Sequence, residues 1–287
     1  MALTFPSTQQ NLPEKPLSVI VGDIPVDRLR MDEAVQWIVR RLDDRQGRSP
    51  MMIMCPNAQL VTLARSNMRF RRALWSAHLN VPDGISVVLA ARFLGMRISQ
   101  RVPGGELMER LCDECSRRGF TVFFLGGLPG AAHLAAQHLK RNYPGLHVVG
   151  CCCPPYGFED SPDETRAVRR QIAEQAPDIL FVAFGAPKQE LWLHENCAAL
   201  PIGAAVTVGG ALDTCAGLRK RAPRWTHDIG LEWLYRLVRE PRRLWRRYLI
   251  GNSKFISLVA RQLARRHLAR LSITRPAKLA HIFRKGF

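Results

Sequence analysis

Between residues 19 and 216, short β-branched or apolar runs alternate with stretches of helical spacing, and this leaves few folds open to the chain. The runs fall near 19–22, 51–55, 79–81, 120–125, 146–150, 178–184 and 203–208. The helical stretches lie between them, near 31–45, 57–75, 84–94, 104–118, 130–142, 162–176 and 187–197. Strands separated by helices are joined by crossovers, which make neighbouring strands parallel and lay helices on both faces. The expected body is therefore α/β, a Rossmann-like, mostly parallel sheet covered on both sides. The segment VIVGDIPVDRL (19–29) also reads as a separate small hairpin, because Asp23 and Pro25 interrupt it.

Beyond residue 216 the strand signals stop. RAPRWTHDIGLEWLYRLVREPRRLWRRYLIGN (221–252) has only helical spacing, and 253–271 continue as a basic, imperfectly amphipathic helix. Trp233, Leu234, Leu237 and Val238 form an apolar stripe, with Arg236 and Arg239 off it. The charge changes at the same place. Of the net +18, residues 1–216 hold 23 Lys or Arg against 21 Asp or Glu, and residues 217–287 hold 19 against 3. Three parts are expected: a flexible N-terminus (1–18), an α/β body (19–216) and an arginine-rich, all-helical appendage (217–287). A field of that sign attracts nucleic acid, a phospholipid surface or a pyrophosphate.

Other classes fit poorly. With 47% hydrophobic and 23% charged residues, the chain is not of disordered type. The opening MALTFPSTQQNLPEKP lacks the apolar core of a secretion signal, so the eight cysteines are expected as reduced thiols. Cys112 and Cys115 have no second pair at zinc-ribbon spacing. No apolar stretch reaches the roughly 20 residues of a spanning helix.

Ligands of open α/β sheets bind beyond the carboxyl ends of the strands. After successive runs come Asn57, Asp83, Gly126-Gly127, GAPKQE (185–190) and Gly209-Gly210, which would meet along one edge. FLGGLPGAAHL (124–134) is a glycine turn opening a helix, either a bare turn or a phosphate cradle on free backbone N–H groups. No acid follows the next strand to hold a ribose, which disfavours NAD. In FGAPKQELWL (184–193), Pro187 suits the first helical position. That leaves Gly185 and Lys188 toward a ligand or toward water, with Gln189 able to orient a polar group. Arg101, before the glycines of RVPGGEL, can fork onto a phosphate or pair with Glu106. Asp83 has no Lys or Arg within five positions; it reads as a helix cap or as a general base. No two carboxylates stand two residues apart, so a D-x-D metal clasp is missing and cations would have to stabilise a leaving diphosphate. Trp225, Trp233, Trp245 and Tyr248 could stack nucleic-acid bases, but they fall at core-like helical spacing without a nucleic-acid motif.

Together, Asn57 with PDG (82–84), RVPGGEL, FFLGG, FGAPKQELW, VGGALD and RKRAPRW…GLEWLYRLVREPRRLWRRY resemble the WecG/TagA/CpsF glycosyltransferases, glycosyltransferase family 26, over about residues 20–250. The resemblance implies an inverting, metal-independent, cofactor-free transfer of a sugar from a UDP-sugar. N-acetylmannosamine, its uronic acid and glucose are all used within the family. The implied acceptor is a sugar on undecaprenyl diphosphate, used at the cytoplasmic membrane face for cell-surface polysaccharides. It also implies Asp83 as catalytic base, and Asn57, Arg101 and Gln189 around the pocket. The appendage would bind an anionic membrane peripherally and close over the site. We expect UDP over Gly126, Gly127, Gly185, Pro187, Lys188 and Gln189, with Asp213 near the base or ribose. Arg101 and one or more of Arg221, Arg224, Arg236, Arg239 and Arg243 would neutralise the diphosphate. No metal and no nucleic acid are expected, and a homo-oligomer is left open. Members often carry Thr two residues before the asparagine, whereas this chain has Cys55.

Overall fold

The first apolar run folds back on itself. β1 (Ser18–Val21) and β2 (Ile24–Asp27) pair antiparallel as a two-stranded sheet separate from the main one. The turn between them puts Gly22 at φ +66°, a conformation that favours glycine. The computed structural model describes residues 15–44, 49–220, 222–223, 226, 232–239, 241–245 and 251–273.

The remaining runs form one six-stranded, all-parallel sheet. Its strands are β3 (Met51–Met54), β4 (Leu79–Asn80), β5 (Thr121–Gly126), β6 (His147–Cys152), β7 (Ile179–Ala183) and β8 (Ala204–Thr207), in the order β4-β3-β8-β7-β5-β6. Side chains alternate between faces along each strand. On β7, Ile179, Phe181 and Ala183 enter one core, while Leu180 and Val182 enter another. The first core is covered by α1 (Met31–Asp43), α5 (Gly104–Arg118), α6 (Ala131–Asn142) and α9 (Ala211–Cys215). The opposite face carries α2 (Ala58–Ser66), α3 (Met68–Ser76), α4 (Ile85–Phe93), α7 (Pro162–Gln175) and α8 (Lys188–Asn196). Phe124 and Phe181 stack at 5.5 Å between ring centres in the first core; each fully buried side chain of this kind contributes about 1.5–3 kcal/mol.

One helix expectation needs correcting. Residues 57–75 form two helices, because Asn67 ends α2 and restarts the chain as α3, its side chain accepting from Phe70 N. A side-chain acceptor that satisfies the free amides of a helix start makes such a break inexpensive.

The topology fixes where a ligand can enter. Leaving β5, the chain passes through α6 on one face; leaving β7, it passes through α8 on the other. β5 and β7 are neighbours, so a crevice opens between their carboxyl ends.

After the body come α10 (Glu232–Arg239), α11 (Pro241–Trp245) and α12 (Gly251–Ile273). Of the apolar stripe expected on α10, Leu234 and Val238 are exposed and Leu237 is half-buried; Trp245 on α11 is exposed. α12 docks on α2 and the hairpin. Phe255 is buried in the core that the hairpin shares with α2, α3 and α4, and Gln262 brackets the hairpin turn, its Nε2 donating to Ile20 O and its Oε1 accepting from Gly22 N, both at 2.8 Å. Arg266 Nη1 donates to Leu94 O at 2.7 Å. No helix among the described residues is long and apolar enough to cross a membrane.

Candidate active site

Because all six strands are parallel, the residues that follow them share one edge. α2 starts there with Asn57 as its cap; Oδ1 accepts from Gln59 N at 3.0 Å and Leu60 N at 3.3 Å. That commitment turns the Asn57 amide outward, and its Nδ2 faces Asp83 Oδ2 at 3.5 Å. The other Asp83 oxygen accepts from Gly104 N, the first residue of α5, at 3.0 Å. Asp83 is therefore not isolated. It is a partly exposed carboxylate held by an amide and by the start of α5; it does not cap the helix that follows it, α4, whose cap residue is Gly84 without a side-chain cap bond. Val102 N donates to Pro82 O at 2.7 Å, which lays the Arg101 segment alongside it.

The contacts continue across the sheet. A Cβ on Gly104 would stand 3.2 Å from Cys55 Sγ and 3.3 Å from Thr207 O, so α5 begins against the ends of β3 and β8. Cys55 is buried. Its thiol is pushed well up, first by burial and then by the carboxyls of Asp83 and Glu190, with the Thr207 hydroxyl opposing. At the end of β5, Gly126 has φ +101° and a Cβ there would strike Ala183 O at 2.8 Å; only glycine lets the strands close up and turn. Asp213 sits beneath this turn. Oδ1 accepts from Leu128 N at 2.8 Å, and Arg219 Nη1 lies 3.4 Å from Oδ2. Asp213 is 5% exposed and engaged on both oxygens, so it braces the turn that was expected to seat UDP.

The 184–190 segment differs most from expectation. Pro187 precedes the helix as its cap residue, after a cis Ala186–Pro187 bond, and α8 starts at Lys188. Phe184 is fixed between Phe158 and Trp192, at 5.1 and 6.1 Å between ring centres. Lys188 pairs with Glu159 and lies over the Tyr156 ring at 4.3 Å, so its ammonium is tied to the neighbouring loop. Gln189 is buried: Oε1 accepts from Gly185 N at 3.2 Å and Nε2 donates to Glu190 Oε1 at 2.7 Å. Glu190 is fully buried, and burial raises its carboxyl to about 7 despite hydrogen bonds from Gln189 and its own amide.

Four helices, α4, α6, α8 and α9, start at this edge without a side-chain cap. Their dipoles favour an anion there, each helix by about 0.3–1 kcal/mol when exposed, although at α8 the Gln189 and Glu190 amides are already taken by Gly185 O and the Glu190 carboxyl. Of the appendage arginines, Arg221 and Arg224 lie outside the described residues, as do the side chains of Arg236 and Arg243. Arg239 packs on the Tyr235 ring at 5.6 Å. Among the described residues no group of three His, Cys, Asp or Glu side chains could hold a metal ion. Sequence reasoning missed Arg219, Thr207 and Glu190. Arg219 opens RKRAPRW and Glu190 closes GAPKQE, and nothing local marks Thr207. Beside the edge, a groove of about 550 Å3 opens between α2 and α12, lined by Gln59, Arg65, Lys254 and Arg261 among others.

The N-acetylglucosaminyldiphosphoundecaprenol N-acetyl-beta-D-mannosaminyltransferase of Bacillus spizizenii is 32% identical over 219 residues, covering 76% of this chain and 80% of that protein. The proteins of the same name from Bacillus subtilis and Staphylococcus aureus strain MW2 are 29% and 31% identical, covering 80% and 77% of this chain and 86% and 82% of theirs. The sequence model described as Glycosyl transferase WecG/TagA/CpsF family matches residues 19–269, and the chain belongs to that family of glycosyltransferases.

Proposed function

We propose that the chain transfers a sugar from a UDP-sugar to a sugar carried on a polyprenyl diphosphate, with inversion and without a metal. One observation carries the reading: Asp83, steered by Asn57 and α5, stands on the same sheet edge as the glycine turns at 126–127 and 185, which flank the crevice. In the proposed step Asp83 removes the acceptor hydroxyl proton as that oxygen bonds to the anomeric carbon from the face opposite UDP. The carbon–oxygen bond to UDP breaks, its electron pair leaves on the diphosphate, and Asp83 ends protonated. The uncapped start of α6 supplies N–H groups for the growing charge, and Arg219, paired with Asp213 beneath the Gly126 turn, supplies a cation. Arg101 completes the diphosphate site from the Pro82 side.

The relatives' names make N-acetylmannosamine the first donor sugar to test and N-acetylglucosaminyl diphospholipid the first acceptor. α12 supports peripheral contact with an anionic membrane at its cytoplasmic face: Lys254, Arg261 and Arg265 are exposed along one flank with Leu268, and Ile256 and Leu263 are exposed on the opposite flank. Each basic residue near such a surface contributes about 1 kcal/mol. A panel of UDP-sugars with short-chain lipid-diphosphate acceptors, scored by UDP release with and without chelator, tests the proposal. UDP release that needs the lipid acceptor and survives chelation is expected. Failure of every UDP-sugar would overturn it.

A further inference from the structure

We propose that Glu190 is a positioning residue for the transfer, holding the Gly185 turn in shape through Gln189. The inference rests on reading that turn as part of the donor's diphosphate seat. Neighbouring residues of a helix point about 100° apart and do not ordinarily meet, yet Gln189 Nε2 and Glu190 Oε1 bond at 2.7 Å. Gln189 thereby presents its own Oε1 to Gly185 N at 3.2 Å, while its backbone N donates to Gly185 O at 3.0 Å. Both backbone polar groups of Gly185, which sits at φ +83°, are held by one residue, and that residue's side chain is anchored by Glu190. An apolar side chain would fill the same buried volume without the desolvation cost of an acid. It would not fix the Gln189 amide.

The second carboxyl oxygen, Oε2, is buried and has no hydrogen-bond partner among the described residues, so the neutral acid carries its proton there. Gln189 bonds Glu190 directly; the Glu190 carboxyl acts through its charge on the buried Cys55 thiol at the end of β3, as Asp83 does, and Thr207 of β8 bonds that thiol. α3 offers Arg69 and Ser76 to α8, but these engage Glu195 and His194. A neutral acid behind the turn leaves the seat open to a diphosphate. Ionisation would place a negative charge behind it, so donor affinity falls as the carboxyl, raised by burial to about 7, loses its proton.

The test compares the full-length wild type with Glu190→Gln and Glu190→Leu. It measures donor KM, lipid-acceptor KM, kcat and calorimetric UDP affinity at about pH 6 and about pH 8.5, with thermal unfolding alongside. Glu190→Leu should raise donor KM and the UDP Kd about tenfold while kcat at saturating donor and acceptor KM stay within about threefold. Glu190→Gln keeps an acceptor for Gln189; it should keep the low donor KM and lose the wild type's rise with pH. Unchanged UDP affinity in Glu190→Leu, or a Glu190→Gln profile that rises as wild type does, overturns the proposal. So does a loss in which only the folded fraction changes. A wild type that neither binds UDP nor transfers overturns the reading of the site together with it, whereas an active wild type with silent variants removes Glu190 alone.

Discussion

The carboxyl edge of the sheet and the docked C-terminal helix α12 are held in different ways. At the edge nearly every polar side chain engages another part of the site: Asn57 caps α2 and faces Asp83, Asp83 receives the start of α5, Asp213 braces the Gly126 turn, and Gln189 clasps Gly185. Moving one shifts its neighbours, and the cores beneath both faces resist that movement. α12 is fixed to the body by buried Phe255 and a few polar bonds from Gln262 and Arg266, while Ile256 and Leu268 remain exposed. On the proposed function, chemistry falls to the first region and access of a lipid-linked substrate to the second, which is the part that can be loosened without dismantling the sheet.

The largest effect expected is at the edge. Asp83→Asn keeps an oxygen for Gly104 N and should fold, yet lose turnover by about 10²–10⁴-fold, the usual worth of general-base help. Near-normal steady-state transfer would remove the base from the mechanism.

Next comes a stability difference inside the same region. Glu190 holds its proton to about 7 when folded, against an ordinary 4.5. Below about 4.5 both folded and unfolded chains bind it; between about 4.5 and 7 only the folded chain does, so stability falls as pH rises, by about 3 kcal/mol in all, and is flat above. Denaturant titrations should show that loss in wild type and not in Glu190→Gln. Parallel pH curves would place the charge elsewhere.

The helix dock is weaker and should break separately. A Cβ on Gly22 would stand 2.7 Å from Val61 Cγ1 and 2.8 Å from Leu258 Cδ2, at a positive φ. Gly22→Ala should cost about 1–3 kcal/mol at the dock, read as faster proteolysis within α12 and weaker transfer to vesicle-borne acceptor, with UDP affinity unchanged. Loss of UDP binding would show that the two regions are one unit. Smallest of all is Cys55→Thr. Exchanging the buried neutral thiol for a hydroxyl changes about one hydrogen bond, so kcat/KM should move about fivefold or less. A loss of hundreds-fold would make the thiol itself part of the chemistry.

Much of the fold was legible because helix and strand periods are local. The alternation located the strands of the sheet to within a residue or two, and with them the edge carrying Asn57, Asp83, Gly126, Gly127 and Gly185. The break at Asn67 was masked by apolar spacing that runs on across it. The site was less legible. Lys188, at a helix start where a ligand was expected, turns to Glu159, which lies on the β6–β7 connection. Gln189 and Glu190, adjacent in a run that reads as a ligand loop, fold inward together.

The sequence by itself determined a parallel α/β sheet, the turns at its carboxyl end and the division between a near-neutral body and a cationic tail, because backbone period, glycine conformation and net charge are carried within short stretches. Only the tertiary structure decided the strand order, the partners of Asp83 and the burial of Glu190. Those depend on groups brought together from distant segments, and a carboxyl group's environment is the sum of such neighbours rather than a property of its own position in the chain.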